Sequence, residues 1–112
     1  MNSPHVPLVD DASFDDHVTS SPVPVLVDFG AAWCGPCRAL EPVLASIAAS
    51  HADRVRVVQV DVDASPALAA RFKVRGVPTI VALAGGAEVG RHAGVTSAET
   101  LLRLLPNAGA RA

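Results

Sequence analysis

The sequence predicts an α/β domain in which helices cover both faces of a mixed, five-stranded sheet. Apolar segments of strand length alternate with segments of helical periodicity, which gives the order β-α-β-α-β-α-β-β-α. The glycine pair at 85–86 turns one strand back along the next, so at least two neighbouring strands run antiparallel. A chain of 112 residues, half of them hydrophobic, is enough for one core. We therefore expect a single domain over residues 1–112, with its core at about 6–105.

The first third of the chain should supply two strands and one helix. A short strand is expected at Val6–Val9, and a helix capped by Asp10 or Asp11 should continue to about Val18. After a turn rich in serine and proline, the segment Val25–Phe29 is apolar on both faces except for one aspartate. Such a segment is typical of a buried central strand.

The middle of the chain predicts two helices with a strand between them. A helix should begin after Cys34 and end at about Ser50, because its leucine, valine and isoleucine residues recur at helical spacing. The apolar segment Val55–Val62 reads as another buried strand. Ser65, followed by proline, should cap the next helix.

The last third predicts a hairpin and a final helix. The hairpin pairs a strand at Val77–Leu83 with a weaker strand at about Glu88–Ala93. Thr96 and Glu99 have the spacing of a capping box. Four residues then share the inner face of the helix: Ala98, Leu101, Leu102 and Leu105.

Composition argues against several classes of protein. Nine basic and eleven acidic residues give a net charge of −2, and no basic run indicates nucleic-acid binding. No apolar run reaches the ~20 residues of a membrane-spanning helix. Residues 1–7 lack the basic and apolar regions of a secretory signal, so we expect a cytoplasmic protein without membrane attachment.

The only two cysteines, Cys34 and Cys37, lie three residues apart between a predicted strand and a predicted helix. A C-x-x-C pair in this context indicates redox chemistry. The main alternative is zinc, but a structural zinc site needs about four ligands. The four histidines, at positions 5, 17, 51 and 92, do not have ligand spacing, so we expect no metal site.

The residues of the motif suggest separate roles in disulfide exchange. Cys34 lies at a helix start, where the positive end of the helix dipole favours an anion. Cys34 should therefore be the attacking sulfur, with the lower pKa and the greater exposure, while Cys37 resolves the mixed disulfide. Gly35 lets a client backbone come close, Pro36 stiffens the turn, and Trp33 offers an apolar surface.

The segment from Val27 to Arg38, with the sequence VDFGAAWCGPCR, closely resembles the active-site segment of thioredoxins. The resemblance continues through Asp61–Asp63, Arg75–Thr79 and Gly94, without a large gap. It implies a thioredoxin fold, with a five-stranded mixed sheet and four helices. It also implies a protein-disulfide reductase with a reversible Cys34–Cys37 disulfide and no bound cofactor. An NADPH-dependent flavoprotein, thioredoxin reductase, would re-reduce it, and NADPH would act only indirectly.

The resemblance also assigns the loops that contact clients. Pro78 matches the family's cis-proline, which packs against the active-site disulfide. This leaves the backbone of Val77 free to pair with an extended client segment. Gly94 and Val95 match a further loop of the client groove. From the sequence alone, Gly94 is better explained as an ordinary turn glycine.

Asp28 is unusual because it lies inside an apolar strand, where burial should raise its pKa. The resemblance implies that it exchanges a proton with Cys37, whereas a purely structural aspartate would only accept backbone hydrogen bonds. Gln59 stands where many thioredoxins have a lysine, so Asp28 should titrate higher than in those relatives. Gly30 replaces a bulky aromatic residue that many relatives have.

Three functions remain open at this point. The first is a disulfide reductase acting as a monomer on many client proteins, for which the Gly-Pro pair between the cysteines is typical. The second is a thiol oxidase or isomerase on the same fold, although these usually have histidine in that position. The third is a non-enzymatic subunit that binds partners through Trp33, Val77 and Val95.

Overall fold

The structure, a computed structural model, describes residues 6–106; the ends of the predicted 1–112 domain lie outside the described residues. Within them, five strands form one sheet and four helices pack against it, as predicted. The strands are β1 (Leu8–Val9), β2 (Val25–Gly30), β3 (Arg56–Asp61), β4 (Thr79–Ala84) and β5 (Ala87–Ala93). The helices are α1 (Asp15–Thr19, a π-helical segment), α2 (Gly35–Ser50), α3 (Pro66–Arg71) and α4 (Ala98–Leu102).

The sheet has the strand order β1-β3-β2-β4-β5 and is mixed. The strands β1, β3 and β2 are parallel, whereas β4 is antiparallel to both β2 and β5. The register of β2 places Asp28 beside Gln59 of β3 on one side and Ile80 of β4 on the other. Because β2 and β3 are parallel, their carboxyl ends meet at one edge of the sheet, where Gly30 pairs with Asp61.

Alternate residues of β2 enter two separate cores, one on each face of the sheet. Leu26 joins the core formed with α2 and α4, which includes Leu40 and Leu101. Phe29 joins the core formed with α1 and α3, which includes Phe14. The side chains of a strand alternate between faces, so Asp28 points to the same side as Leu26, towards α2.

The first helix differs from the predicted one. The carboxylate of Asp10 accepts hydrogen bonds from the N–H groups of Ala12 and Ser13, at 3.1 and 2.9 Å. Residues 11–13 form turns, and the regular helical segment begins only at Asp15, later than predicted. The carbonyl of Asp10 also accepts from the N–H of Phe14 at 3.0 Å, so Asp10 caps the first turn as the sequence predicted.

The caps of the last two helices differ in part from those predicted. Ser65 occupies the cap position of α3 but makes no side-chain capping bond. Asp11 instead reaches across the fold, and its carboxylate accepts from the N–H of Leu68 at 3.1 Å. At α4 the cap is Ser97, which accepts from the N–H of Thr100, and not Thr96.

Strand β4 begins at Thr79, two residues later than predicted. The segment before it contains Pro78, whose nitrogen has no hydrogen to donate to a neighbouring strand. The residues Gly76 to Pro78 therefore form a loop before β4. Since Thr79 of β4 pairs with Phe29 of β2, this loop lies at the edge of the sheet where β2 ends.

Candidate active site

The cysteine pair lies where the central strand gives way to the longest helix. Strand β2 ends at Gly30, and Cys34 is the N-cap residue of α2. The two cysteines form a disulfide, and their Cα atoms are 5.3 Å apart. Both sulfur atoms are thus held in the first turn of a helix whose other end packs in the core.

The backbone around Cys34 favours negative charge on its sulfur. The Sγ atom of Cys34 accepts a hydrogen bond from the N–H of Cys37 at 3.1 Å. Pro36 lies in the same first turn and contributes no competing N–H. After reduction, a thiolate in this position would keep the same donor and the positive end of the helix dipole.

The expected difference in exposure between the two cysteines is absent from the oxidised protein. Cys34 is 4 % exposed and Cys37 is 3 % exposed. The disulfide packs against Ala31, Val62 and Val77. The exposed part of the motif is Trp33, at 68 %, together with the glycine and proline between the cysteines.

Trp33 is held in place by a residue that sequence reasoning did not assign to the site. Its indole N–H donates to the carboxylate of Asp63 at 2.7 Å. Asp61 positions that segment by accepting from the N–H of Asp63 at 2.9 Å. The available signal was the Asp-x-Asp sequence at the end of β3, which the parallel pairing places beside the end of β2.

The Val77–Pro78 peptide bond is cis, as the resemblance implied. A pocket of ≈ 160 Å³ lies between Trp33 and Val77. Gly94, at φ +96°, lies on the other side of the proline and donates its N–H to the carbonyl of Pro78 at 2.9 Å. Val95 follows and is 49 % exposed, but it does not line this pocket.

Asp28 is 1 % exposed, and burial raises its pKa from the ordinary value of 3.8 to about 6. The Gln59 amide N–H, which donates to Oδ2 at 3.3 Å, opposes that rise, while the negative charge of Glu41 adds to it. The other carboxylate oxygen and the amide oxygen of Gln59 have no hydrogen-bond partner among the described residues. A buried carboxylate oxygen without a donor disfavours the charged form, so these surroundings favour a neutral carboxyl group at Asp28.

Comparisons with known proteins agree with this geometry. The family model for thioredoxin matches residues 5–107. A thioredoxin of Mycolicibacterium smegmatis is 47 % identical over 102 residues, which cover 89 % of this chain and 91 % of the relative. Thioredoxin 1 of Synechococcus elongatus is 41 % identical over 97 residues, or 87 % of this chain and 91 % of the relative.

The chain belongs to the thioredoxin family. With the Cys34–Cys37 disulfide at the start of α2, it is a thiol–disulfide oxidoreductase, and the predicted fold and enzyme class are confirmed. A further relative, from Mycobacterium leprae, is named bifunctional thioredoxin reductase/thioredoxin. It is 45 % identical over 95 residues, which cover 85 % of this chain and 21 % of that protein.

Features of two other kinds of site are absent from residues 6–106. Among residues 6–106, no helix is both long enough and apolar enough to cross a membrane. Over the same residues, histidine, cysteine, aspartate and glutamate side chains do not gather in groups of three or more that could hold a metal ion.

Proposed function

We propose that this protein reduces disulfides in client proteins, with Cys34 as the attacking thiolate and Cys37 as the resolving thiol. The observation that carries the proposal is the cysteine pair at the start of α2, packed against Val77 beside the cis Pro78. This arrangement joins a reactive sulfur to a backbone that can hold an extended client segment.

The exchange has two steps that balance in sulfur atoms and electrons. The Cys34 thiolate attacks one sulfur of a client disulfide, forms a mixed disulfide and releases the first client sulfur as a thiolate. The Cys37 thiolate then attacks Sγ of Cys34, which releases the second client sulfur. One electron pair has moved from the protein to the client, which leaves the client reduced and the Cys34–Cys37 pair oxidised.

Asp28 is proposed to accept the proton that Cys37 must lose before the second step. The charge of Glu41 acts on Asp28, so the two carboxyl groups are close. Cys37 and Glu41 are four residues apart on α2 and therefore share a helix face. A buried acid with a pKa of about 6 lies near the pH at which proton transfer is most effective.

The client groove is proposed to use the backbone of Val77. Neither the N–H nor the C=O of Val77 has a hydrogen-bond partner among residues 6–106. An extended segment can pair with such free groups as an added strand. Trp33 and the pocket beside it would contact apolar side chains of the client, and Gly35, Pro36, Gly94 and Val95 would border the groove.

The oxidised pair must be reduced again, and we propose an NADPH-dependent thioredoxin reductase as the electron donor. The M. leprae relative, named for both activities, supports this partnership. We further propose that the protein acts as a monomer in the cytoplasm, where other thiols are kept reduced.

A trapping experiment tests the order of attack. In Cys37→Ser, the mixed disulfide between Cys34 and a disulfide-bonded client peptide should accumulate and be visible by intact-mass spectrometry. Cys34→Ser is the matched control and should trap far less adduct. If Cys34→Ser traps the client and Cys37→Ser does not, the assigned roles are reversed.

The reduction potential separates the reductase from the two alternatives. The reduction potential of thioredoxin is about −270 mV, and that of a strong thiol oxidant is about −120 mV. Equilibration with a dithiothreitol or glutathione buffer, followed by Trp33 fluorescence, gives the value for this protein. A potential close to that of the oxidants would favour an oxidase. A dithiol protein that binds partner proteins but does not reduce their disulfides would favour a binding subunit.

A further inference from the structure

A basic pocket borders the proposed client groove on the side away from Trp33. It has a volume of ≈ 440 Å³, and its walls include Val77, Pro78 and Gly94 of the groove. Three cationic residues also line it: Lys73, Arg75 and Arg91. We propose that this pocket selects client segments that carry an aspartate or glutamate close to the reacting cysteine, an inference that rests on the proposed reductase function.

Arg91 lines the basic pocket, and its side chain is held in place by hydrogen bonds. Its guanidinium donates to both carboxylate oxygens of Glu88, at 2.6 and 2.8 Å, and to the carbonyl of Phe72 at 2.8 Å. These bonds join β5 to the end of α3 and hold the arginine in one orientation. The carboxylate of Glu88 also offsets much of its charge, so Arg91 shapes the pocket more than it attracts anions.

Lys73 and Arg75 supply the unbalanced positive charge. Both are exposed, and neither forms an ion pair or side-chain hydrogen bond with any of the residues 6–106. Two cations therefore flank the groove, although the whole chain has a net charge of −2. The attraction for an acidic group is thus a property of this pocket and not of the overall charge.

The arrangement of the two pockets places the positive charge of Lys73 and Arg75 next to a bound client segment. Arg75, Gly76 and Val77 line both the pocket beside Trp33 and the basic pocket, so this segment forms the boundary between them. A segment paired with Val77 has side chains on both sides of this boundary. On the Trp33 side, the nearby carboxylate of Asp63 is engaged by the indole N–H. An acidic client side chain is therefore best matched by Lys73 and Arg75.

Peptides with one disulfide test the selection directly. Glutamate, glutamine or lysine is placed in turn at each of three positions on either side of the reacting cysteine. The second-order rate constant for reduction by the dithiol protein is then measured by stopped-flow Trp33 fluorescence. At one or more positions, glutamate should react about fivefold faster than glutamine at low salt, and lysine should react more slowly. The advantage should shrink at high salt because the charges are exposed.

Variants assign the effect to the pocket. In Lys73→Asn with Arg75→Gln, the glutamate advantage should fall to less than about twofold. Asparagine suits position 73 because Lys73 has a φ of 55°. Arg103→Gln removes one positive charge at the end of α4, outside the pocket, and should keep the full advantage.

Each outcome has a separate meaning. If glutamate, glutamine and lysine peptides react at equal rates, the inference is wrong while the reductase function stands. An advantage that persists in the double variant also refutes it. If none of the peptides is reduced, including the glutamine peptide, the proposed function itself fails.

Discussion

Replacing Asp28 with asparagine should make the protein more stable at alkaline pH. Burial raises the pKa of Asp28 from 3.8 to about 6, which is about two pH units. One pH unit corresponds to ~1.4 kcal/mol, so charging this carboxyl group costs ~3 kcal/mol of folding free energy. The pKa of Asp28 is higher in the folded state than in the unfolded chain. Its bound proton therefore contributes its full share to the free energy of unfolding below about pH 4. This contribution is lost as the pH rises through about 6.

Asparagine has nearly the same shape but no charge, so Asp28→Asn should avoid this loss. We expect the oxidised variant and the parent protein to have similar free energies of unfolding at pH 4. At pH 8 the variant should be more stable by ~3 kcal/mol. Urea unfolding, followed by Trp33 fluorescence, measures the free energy of unfolding of both proteins at half-unit steps from pH 4 to 8.

Asp53→Asn is the matched control, because Asp53 is exposed in the turn after α2. It changes the formal charge by the same amount and should leave the pH dependence of the parent protein intact. The difference in unfolding free energy between Asp28→Asn and the parent is the decisive quantity. A difference that stays constant from pH 4 to 8 would show that Asp28 does not titrate in this range and would refute the reasoning.

Two further predictions concern Gln59 and Asp11. In Gln59→Lys, a cation beside Asp28 should lower the pKa of its carboxyl group, as followed by carboxyl ¹³C NMR of the reduced protein; an unmoved titration would contradict this. Asp11→Ala should destabilise the fold by ~1 kcal/mol in urea unfolding, because the N-terminus of α3 loses its capping acceptor. Ser65→Ala should cost less, since Ser65 makes no such bond; the reverse ranking would count against the assignment.

Local patterns in the sequence were sufficient for the main elements of the fold. The strand at Val25–Phe29 and the helix that ends at Ser50 have unambiguous apolar periods, and both were predicted within a residue of their observed bounds. The glycine pair before β5 also predicted a turn, and in the structure both glycines have positive φ values. These features depend on neighbours in the chain, which is why the sequence alone reveals them.

The errors arose where distant residues compete for the same hydrogen bond. The sequence offered Ser65 as a cap for α3, but only the folded chain brings the carboxylate of Asp11 to that helix. The first helix differs for a local reason: residues 11–13 after the Asp10 cap form turns, so the regular segment begins at Asp15. The burial of Cys34 likewise depends on Val62 and Val77, which come from other segments.

The sequence by itself determined the redox pair, the strand–helix junction that holds it, and the anomalous aspartate within that strand, because each is a pattern within a few residues. Only the tertiary structure placed Asp63 on Trp33 and gathered Lys73, Arg75 and Arg91 around one pocket. Those residues come from separate segments, and their proximity follows from the parallel pairing of β2 with β3 and the hairpin of β4 with β5. Charge and hydrogen bonding act over a few ångströms in space, whatever the separation along the chain.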